Sequence, residues 1–293
     1  MKKQHDNIAV AIITVFIGSV LLTASLIATI ISLTVFNPGF PGFIAGHSNY
    51  YTSVAKEARK TIADYSQGSG VPHDVLDKVI SDQQVHTDID NMFQAFYDAR
   101  VDYKSYAKDI VMKNSKEAIL KYATDNDIAL ADGEASVDAL AKDIGDIYSS
   151  NLASAYVKYV QKVTSKSSLV YMATAVLWIL TLFFLAIFYF INKQGAKLSH
   201  RMYRNFGSLF ITTGLMMAIG PLILLASNVI GRLNIASQSQ YNFIVAFVGS
   251  IVWYFVFVGL ASLATGGALA YMFNKTRNNL MKDLKTGRHL NDF

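Results

Sequence analysis

The chain has 293 residues, 52% hydrophobic and only 16% charged, with a net charge of +5 and no cysteine. Soluble domains carry about a quarter charged residues, so the deficit points to a membrane. The basic excess then implies contact with anionic lipid headgroups, not nucleic acid, for which the sequence holds no motif. The missing cysteine excludes disulfides, thiolate metal sites, thiol catalysis and a lipoprotein anchor.

Residues 1–7 carry Lys2 and Lys3 and lead into Ile8–Phe36, the first of four segments without Asp, Glu, Lys or Arg. The others are Leu169–Ile191, Gly207–Ile230 and Asn242–Phe273. A helix needs about 20 mostly apolar residues to cross a bilayer, and only helices or closed barrels satisfy the backbone in lipid. No alternating barrel pattern is present, so four transmembrane helices are expected, at 8–36, 169–191, 207–230 and 242–273. The first is longer than the roughly 7–15 apolar residues of a signal peptide. The A-x-A-like site after Ala45 also places bulky Phe43 where a small residue is wanted, so an uncleaved anchor is expected. Gly18, Ser25 and Thr29 share one face of this segment and suit close helix packing.

The stretch after it, VFNPGFPGFIAGHSNYY, holds two of the four prolines. Proline restrains the residue before it and does not continue a helix. Asn37-Pro38 is therefore expected to end the first helix, and the Pro-Gly pairs to turn the chain. Pro38, Gly39, Phe40, Pro41, Gly42 and Phe43 would form a collar, with Phe40 and Phe43 as interfacial anchors. The alternative is a ligand-contacting hinge.

Residues 37–168 read as one helical domain. Ile89, Met92, Phe96, Ala99, Tyr103, Tyr106 and Ile110 recur at spacings of three and four. So do Val137, Ala141, Ile144, Tyr148, Leu152, Ala155, Tyr159 and Val163. Such stripes mark packed helices. A first helix over about Asn49–Ser66 ends at Gln67-Gly68-Ser69-Gly70, Pro72 suits the first turn of the next, and Asp132-Gly133 precedes the last. No Pro or Gly lies between Asp146 and Ile191. Either one rod runs from Glu134 into the second apolar segment, on the order of 85 Å long, or the chain bends near Thr164–Ser168.

The segment GVPHDVLDKVISDQQVHTDIDNMFQAFYDA has a Gly-x-Pro start, a short apolar helix and an Asp-x-Asp helix with aromatics. It resembles a pattern in uncharacterised multi-pass membrane proteins of Gram-positive bacteria, which carry a helical extracytoplasmic segment after the first transmembrane helix. The resemblance implies a cell-membrane location and brings no function with it.

His73 and Asp77, and His86 and Asp90, are weak metal candidates, four apart and thus on one helix face, with no third ligand set by spacing. Capping or surface roles compete, as they do for Asp74 and Asp88. The run Asp125–Glu134 lacks the oxygen ligand and glycine of a calcium loop and reads as a turn between helices. No cofactor motif, nucleophile elbow or phosphate loop is present, so a non-enzymatic protein is expected.

Lys193, Lys197, Arg201 and Arg204 recur every three or four residues in the loop 192–206. They form a basic face for anionic lipid or a cytoplasmic partner. Gly220-Pro221 is expected to kink the third segment. After the short loop 231–241, Gly259, Ser262 and Gly266 give the fourth segment a small-residue stripe. A basic tail, 274–293, closes the chain. Basic residues concentrate in 1–7, 192–206 and 274–293, and the positive-inside rule puts both termini in the cytoplasm and 37–168 outside the plasma membrane.

The expected architecture is all-α: a four-helix transmembrane bundle with an extracytoplasmic helical domain between helices 1 and 2. The leading functional reading is an interaction or sensing module whose outer helices bind a partner or ligand and act through helix 2, alone or as a homo-oligomer or with another membrane protein. An oligomeric channel or transport component is the alternative. A membrane hydrolase is a third reading that no motif supports.

Overall fold

The computed structural model describes residues 2–130, 133–152, 157–194, 199–235 and 237–285. The chain is all-helical, with no strand among the described residues. Eleven α-helices follow one another: α1 (Lys2–Thr34), α2 (Gly39–His47), α3 (Tyr50–Ser66), α4 (His73–Leu76), α5 (Asp82–Ala95), α6 (Tyr103–Asp125), α7 (Glu134–Leu152), α8 (Val157–Thr164), α9 (Ser167–Gln194), α10 (Ser199–Ala226) and α11 (Gln238–Lys285). Four stretches are long and apolar enough to cross a membrane: Ala11–Thr34, Ser167–Asn192, Arg201–Arg232 and Gln238–Asn279. The chain divides into two compact units, one of Met1–Thr34, Ser168–Arg232 and Val248–Phe293, the other of Val35–Ser167 and Leu233–Phe247.

The first unit exposes its large apolar side chains. Ile179, Phe183 and Phe257 are 66%, 66% and 61% exposed, as expected where lipid replaces water as the solvent. Its helices meet through small and hydroxylated residues. A Cβ on Gly18 would come within 2.7 Å of both Leu209 and Phe184. Ser25 Oγ lies 2.8 Å from Thr181 Oγ1, Trp178 Nε1 donates to Thr29 Oγ1 at 2.8 Å, and Ser32 Oγ lies 2.9 Å from Thr174 Oγ1. This ladder joins α1 to α9. Along α10 and α11 the contact is glycine on backbone. A Cβ on Gly259 would lie 3.0 Å from the Ala218 nitrogen, and one on Gly266 2.8 Å from the Ile211 nitrogen. Ser262, between them, is buried. Pro221 lies inside α10, which continues through it to Ala226.

The second unit has a large buried core. It includes Val54, Ala58 and Ile62 of α3, Val85, Ile89 and Met92 of α5, and Val137, Ile144 and Tyr148 of α7. Helix starts follow local chemistry. Ser81 caps α5 by accepting from the Gln84 amide, and Asp102 caps α6 by accepting from the Ser105 amide, each satisfying an otherwise orphaned donor. Gly70 and Gly133 sit at φ 76° and 61°, a region glycine enters without steric cost, and mark the breaks expected at 67–70 and before Glu134. Asp125 is the last residue of α6 and Glu134 the first of α7, so the run joins two helices; Ala131 and Asp132 within it lie outside the described residues.

Four expectations need correction. First, the collar is not a turn. Gly39–His47 is helix α2, and Pro41 occupies its first turn, where backbone N–H groups have no intrahelical acceptor and a missing one costs nothing. Asn37 supplies the start, its Oδ1 accepting from the Gly39 amide at 3.0 Å. Phe43 is exposed, but Phe40 is buried at 6% and packs edge-on against Phe247 at 5.2 Å. Second, the stripe from Ile89 to Ile110 is two stripes. Between α5 and α6 the chain turns at 98–102, where Arg100 pairs with Asp98 and holds its carboxyl down at about 2. The phase resets there, so Ala107 and Val111 are buried and Tyr106 is exposed. Third, the stripe through Leu152 does not reach Val163. Ala155 is outside the described residues, Tyr159 is 73% exposed, and α8 instead buries Val157 and Thr164. Fourth, the rod does not run on into the second apolar segment, and the alternative break near Thr164–Ser168 holds, because α8 stops at Thr164 and α9 begins at Ser167. The Thr164 hydroxyl donates to the Phe96 carbonyl, which ties that end of α8 to the end of α5.

Candidate functional site

The second unit gathers its polar groups into three clusters and its aromatic groups around one cavity. The first cluster anchors the start of α11. Ser237 caps this helix, its Oγ accepting from the Gln240 amide at 3.2 Å. Glu57 of α3 reaches the same turn. Its Oε1 accepts from the Ser239 amide, and its Oε2 accepts from the Ser237 and Ser239 hydroxyls, all at 2.8 Å. A carboxylate on these orphaned amides also complements the positive end of the helix dipole. Ser239 is 2% exposed, so the carboxylate substitutes for the water that a free helix end would need.

The second cluster is the Asp88 carboxylate. It is 1% exposed and accepts from the Tyr148 hydroxyl at 2.7 Å and from Gln84 Nε2 at 2.8 Å. Burial pushes its carboxyl above the ordinary carboxylate range, while the two hydrogen bonds pull the other way. The Tyr148 phenol is raised by burial and by the Asp88 charge. Asp88 is therefore not a helix-start residue. It lies in the middle of α5 and ties that helix to α7.

The third cluster contains the His86–Asp90 pair. His86 Nδ1 is 3.1 Å from Asp90 Oδ2, Tyr51 donates to Asp90 Oδ1 at 2.7 Å, and the Tyr51 and His86 rings stack at 3.9 Å and 10°. Burial, then the Asp90 hydrogen bond, raises the Tyr51 phenol. Both carboxylate oxygens are engaged, and the arrangement clips α3 to α5. No group of three or more His, Cys, Asp or Glu suited to a metal occurs among the described residues. His73 and Asp77 share a backbone hydrogen bond at the end of α4, Asp77 N to His73 O at 2.8 Å.

Beside these clusters lies a cavity of about 180 Å³. Tyr50, Met92, Phe96 and Tyr97 line it from α3, α5 and the residues after α5, Val35 and Pro41 from the segment after α1, and Val160 from α8. Gln240, Phe243, Ile244 and Phe247 of α11 complete it. Its walls are set by aromatic packing. Phe243 lies 4.7 Å from Tyr50 and 5.3 Å from Phe93, ring centre to ring centre. The Tyr97 hydroxyl is directed to the Val35 and Asn37 carbonyls at 3.0 and 3.1 Å.

Of the proposed basic face, Lys193 falls within α9 and Lys197 lies outside the described residues. Arg201 is exposed at the start of α10. Arg204 is exposed, lies 3.4 Å from Asn205 Oδ1, and lines a cavity of about 470 Å³ with Ile12, Phe16 and Ser208. Glu57, Ser237, Ser239, Phe243 and Phe247 had no place among the residues singled out from the sequence, whereas Met92 and Phe96 stood in the stripe that begins at Ile89. The Ser-Gln-Ser-Gln run is a legible helix start; its acidic partner, 180 positions earlier, is not.

No family model matches the chain, and neither a curated protein nor a solved structure matches it. Its own features define the class: an all-helical, multi-pass membrane protein.

Proposed function

We propose that this is a non-enzymatic interaction or sensing protein of the plasma membrane, with both termini cytoplasmic and residues 37–168 outside. Its second unit would bind a partner or ligand and act on the membrane helices. The observation that carries this reading is the start of α11. Gln238–Phe247 belongs to the second unit, held there by the Glu57 carboxylate and by Phe243 among Tyr50 and Phe93. The same helix then supplies the apolar stretch that runs to Asn279. An occupant that repacks this core shifts the start of a membrane helix without any further relay. In this reading α11 takes the coupling role expected of the second apolar segment, since α8 and α9 are separate helices.

The test is crosslinking in living cells followed by gentle extraction, for the native chain and for Glu57→Gln. The native chain should recover a stoichiometric partner or ligand that the variant loses in part. Solute flux through liposomes containing the purified protein, with nothing captured, would replace this reading by a transport one. The absence of native cysteine makes topology testable: Ser69→Cys should react with a membrane-impermeant maleimide on intact cells. Reaction only after lysis would reverse the orientation.

A further inference from the structure

We infer that the cavity between Tyr50, Phe96, Val160 and Phe247 is a binding site for one alkyl chain, holding a terminal segment of roughly six or seven carbon atoms. The size argument comes from volume. A dry apolar cavity of about 150 Å³ accepts benzene, a six-carbon solute, and this one measures about 180 Å³. The chemistry argument comes from the lining. No charged side chain borders the cavity, and the Tyr97 hydroxyl is directed to two backbone carbonyls. Gln240 supplies an amide to the lining, but a charged headgroup placed inside would lose its hydration and meet no opposite charge, which is costly. A chain therefore enters methyl end first and leaves its head outside.

The lining also favours an alkyl chain over other apolar solutes. Phe243, Ile244 and Phe247 belong to the apolar stretch Gln238–Asn279, and Val35 directly follows the stretch that ends at Thr34. Segments that reach bilayer hydrocarbon thus contribute the walls, and acyl chains are the abundant apolar solute there. The chain comes from a membrane phospholipid or from a free fatty acid; both present the same methyl end. This site names the ligand class of the binding module proposed above and rests on that reading.

The experiment uses the full chain in phosphatidylcholine–phosphatidylglycerol nanodiscs. Two probes are compared, decanoic acid with an ω-terminal diazirine and phosphatidylcholine bearing the same tagged chain. After irradiation, adducts should concentrate on peptides containing Phe96 and Phe243–Phe247. Excess untagged decanoic acid should lower them about tenfold. Val160→Trp, which fills the cavity, should lower them at least fivefold while labelling of 169–191 stays constant. The probe that labels identifies the source of the chain. Adducts no denser at the cavity than along 169–191, or insensitive to the competitor, overturn the inference. The competition needs no variant, so a misfolded Val160→Trp does not blunt the test. Loss of cavity labelling with intact partner capture in cells would sink the alkyl site alone and leave the binding-module reading standing.

Discussion

In the first unit, α10 meets α11 through Gly259 and Gly266, with backbone atoms about 3 Å from where a Cβ would stand, while Phe183 and Phe257 face outward. In the second unit, α5 meets α7 through Ile89, Ile144 and Tyr148, all fully buried, around an aspartate that is itself buried. With the second unit outside the bilayer, as proposed above, the difference follows from the solvent. Lipid is as apolar as leucine, so helices within it gain little by burying large side chains and associate through close packing and hydrogen bonds. In water the large apolar side chain is the main stabilising currency. A buried carboxylate is tolerated there because Tyr148 and Gln84 satisfy it.

The contrast can be broken one unit at a time. Tyr148→Ala removes a fully buried ring and one of two donors to Asp88, at a cost of about 3–5 kcal/mol. Limited proteolysis should then cut within 37–168 while the apolar stretches stay protected; unchanged resistance would show that the second unit does not depend on this core. Gly266→Leu places side-chain atoms against the Ile211 nitrogen and the Gly207 carbonyl, costing about 1–3 kcal/mol or more. It should lower the melting temperature in detergent and leave 37–168 resistant to protease.

A smaller effect is a pH slope. The folded-state pKa of Asp88 is raised, so the folded second unit holds a proton that the unfolded chain releases first. Its contribution is present at low pH and is lost as pH rises through the folded pKa. Denaturant melts of the second unit should therefore show this contribution declining with pH, and Asp88→Asn should abolish that part of the slope. A slope that persists in the variant would assign it to another group. The smallest effect belongs to Ser25→Ala. It removes the hydroxyl contact with Thr181, and hydrogen bonds between membrane helices average about 0.6 kcal/mol. A loss above about 2 kcal/mol would mean that the ladder along α1 and α9, rather than close packing, holds the first unit together.

Much of this chain was legible before folding. Hydropathy is a running property of neighbouring residues, so the four apolar stretches could be read directly. Gly70 and Gly133 announced their breaks because left-handed backbone needs glycine. The Val137–Leu152 stripe held because α7 is one uninterrupted helix. The same logic failed at Pro38–Phe43, where proline in a first helical turn has the same sequence signature as proline in a loop. It failed again at Ala99, where periodicity was carried across a helix boundary, and at Tyr159 and Val163, which are exposed.

By itself, then, the sequence determined the helical class, the apolar stretches and the basic ends, because each depends on residues close together in the chain. Only the tertiary structure decided that Glu57 reaches Ser239 across 182 positions, that Asp88 is buried beneath Tyr148, and that Phe243 and Phe247 close a cavity with Tyr50 and Phe96. These pairings arise from how amphipathic faces pack. Many carboxylates and aromatics carry the same local signal, and burial selects which of them meet.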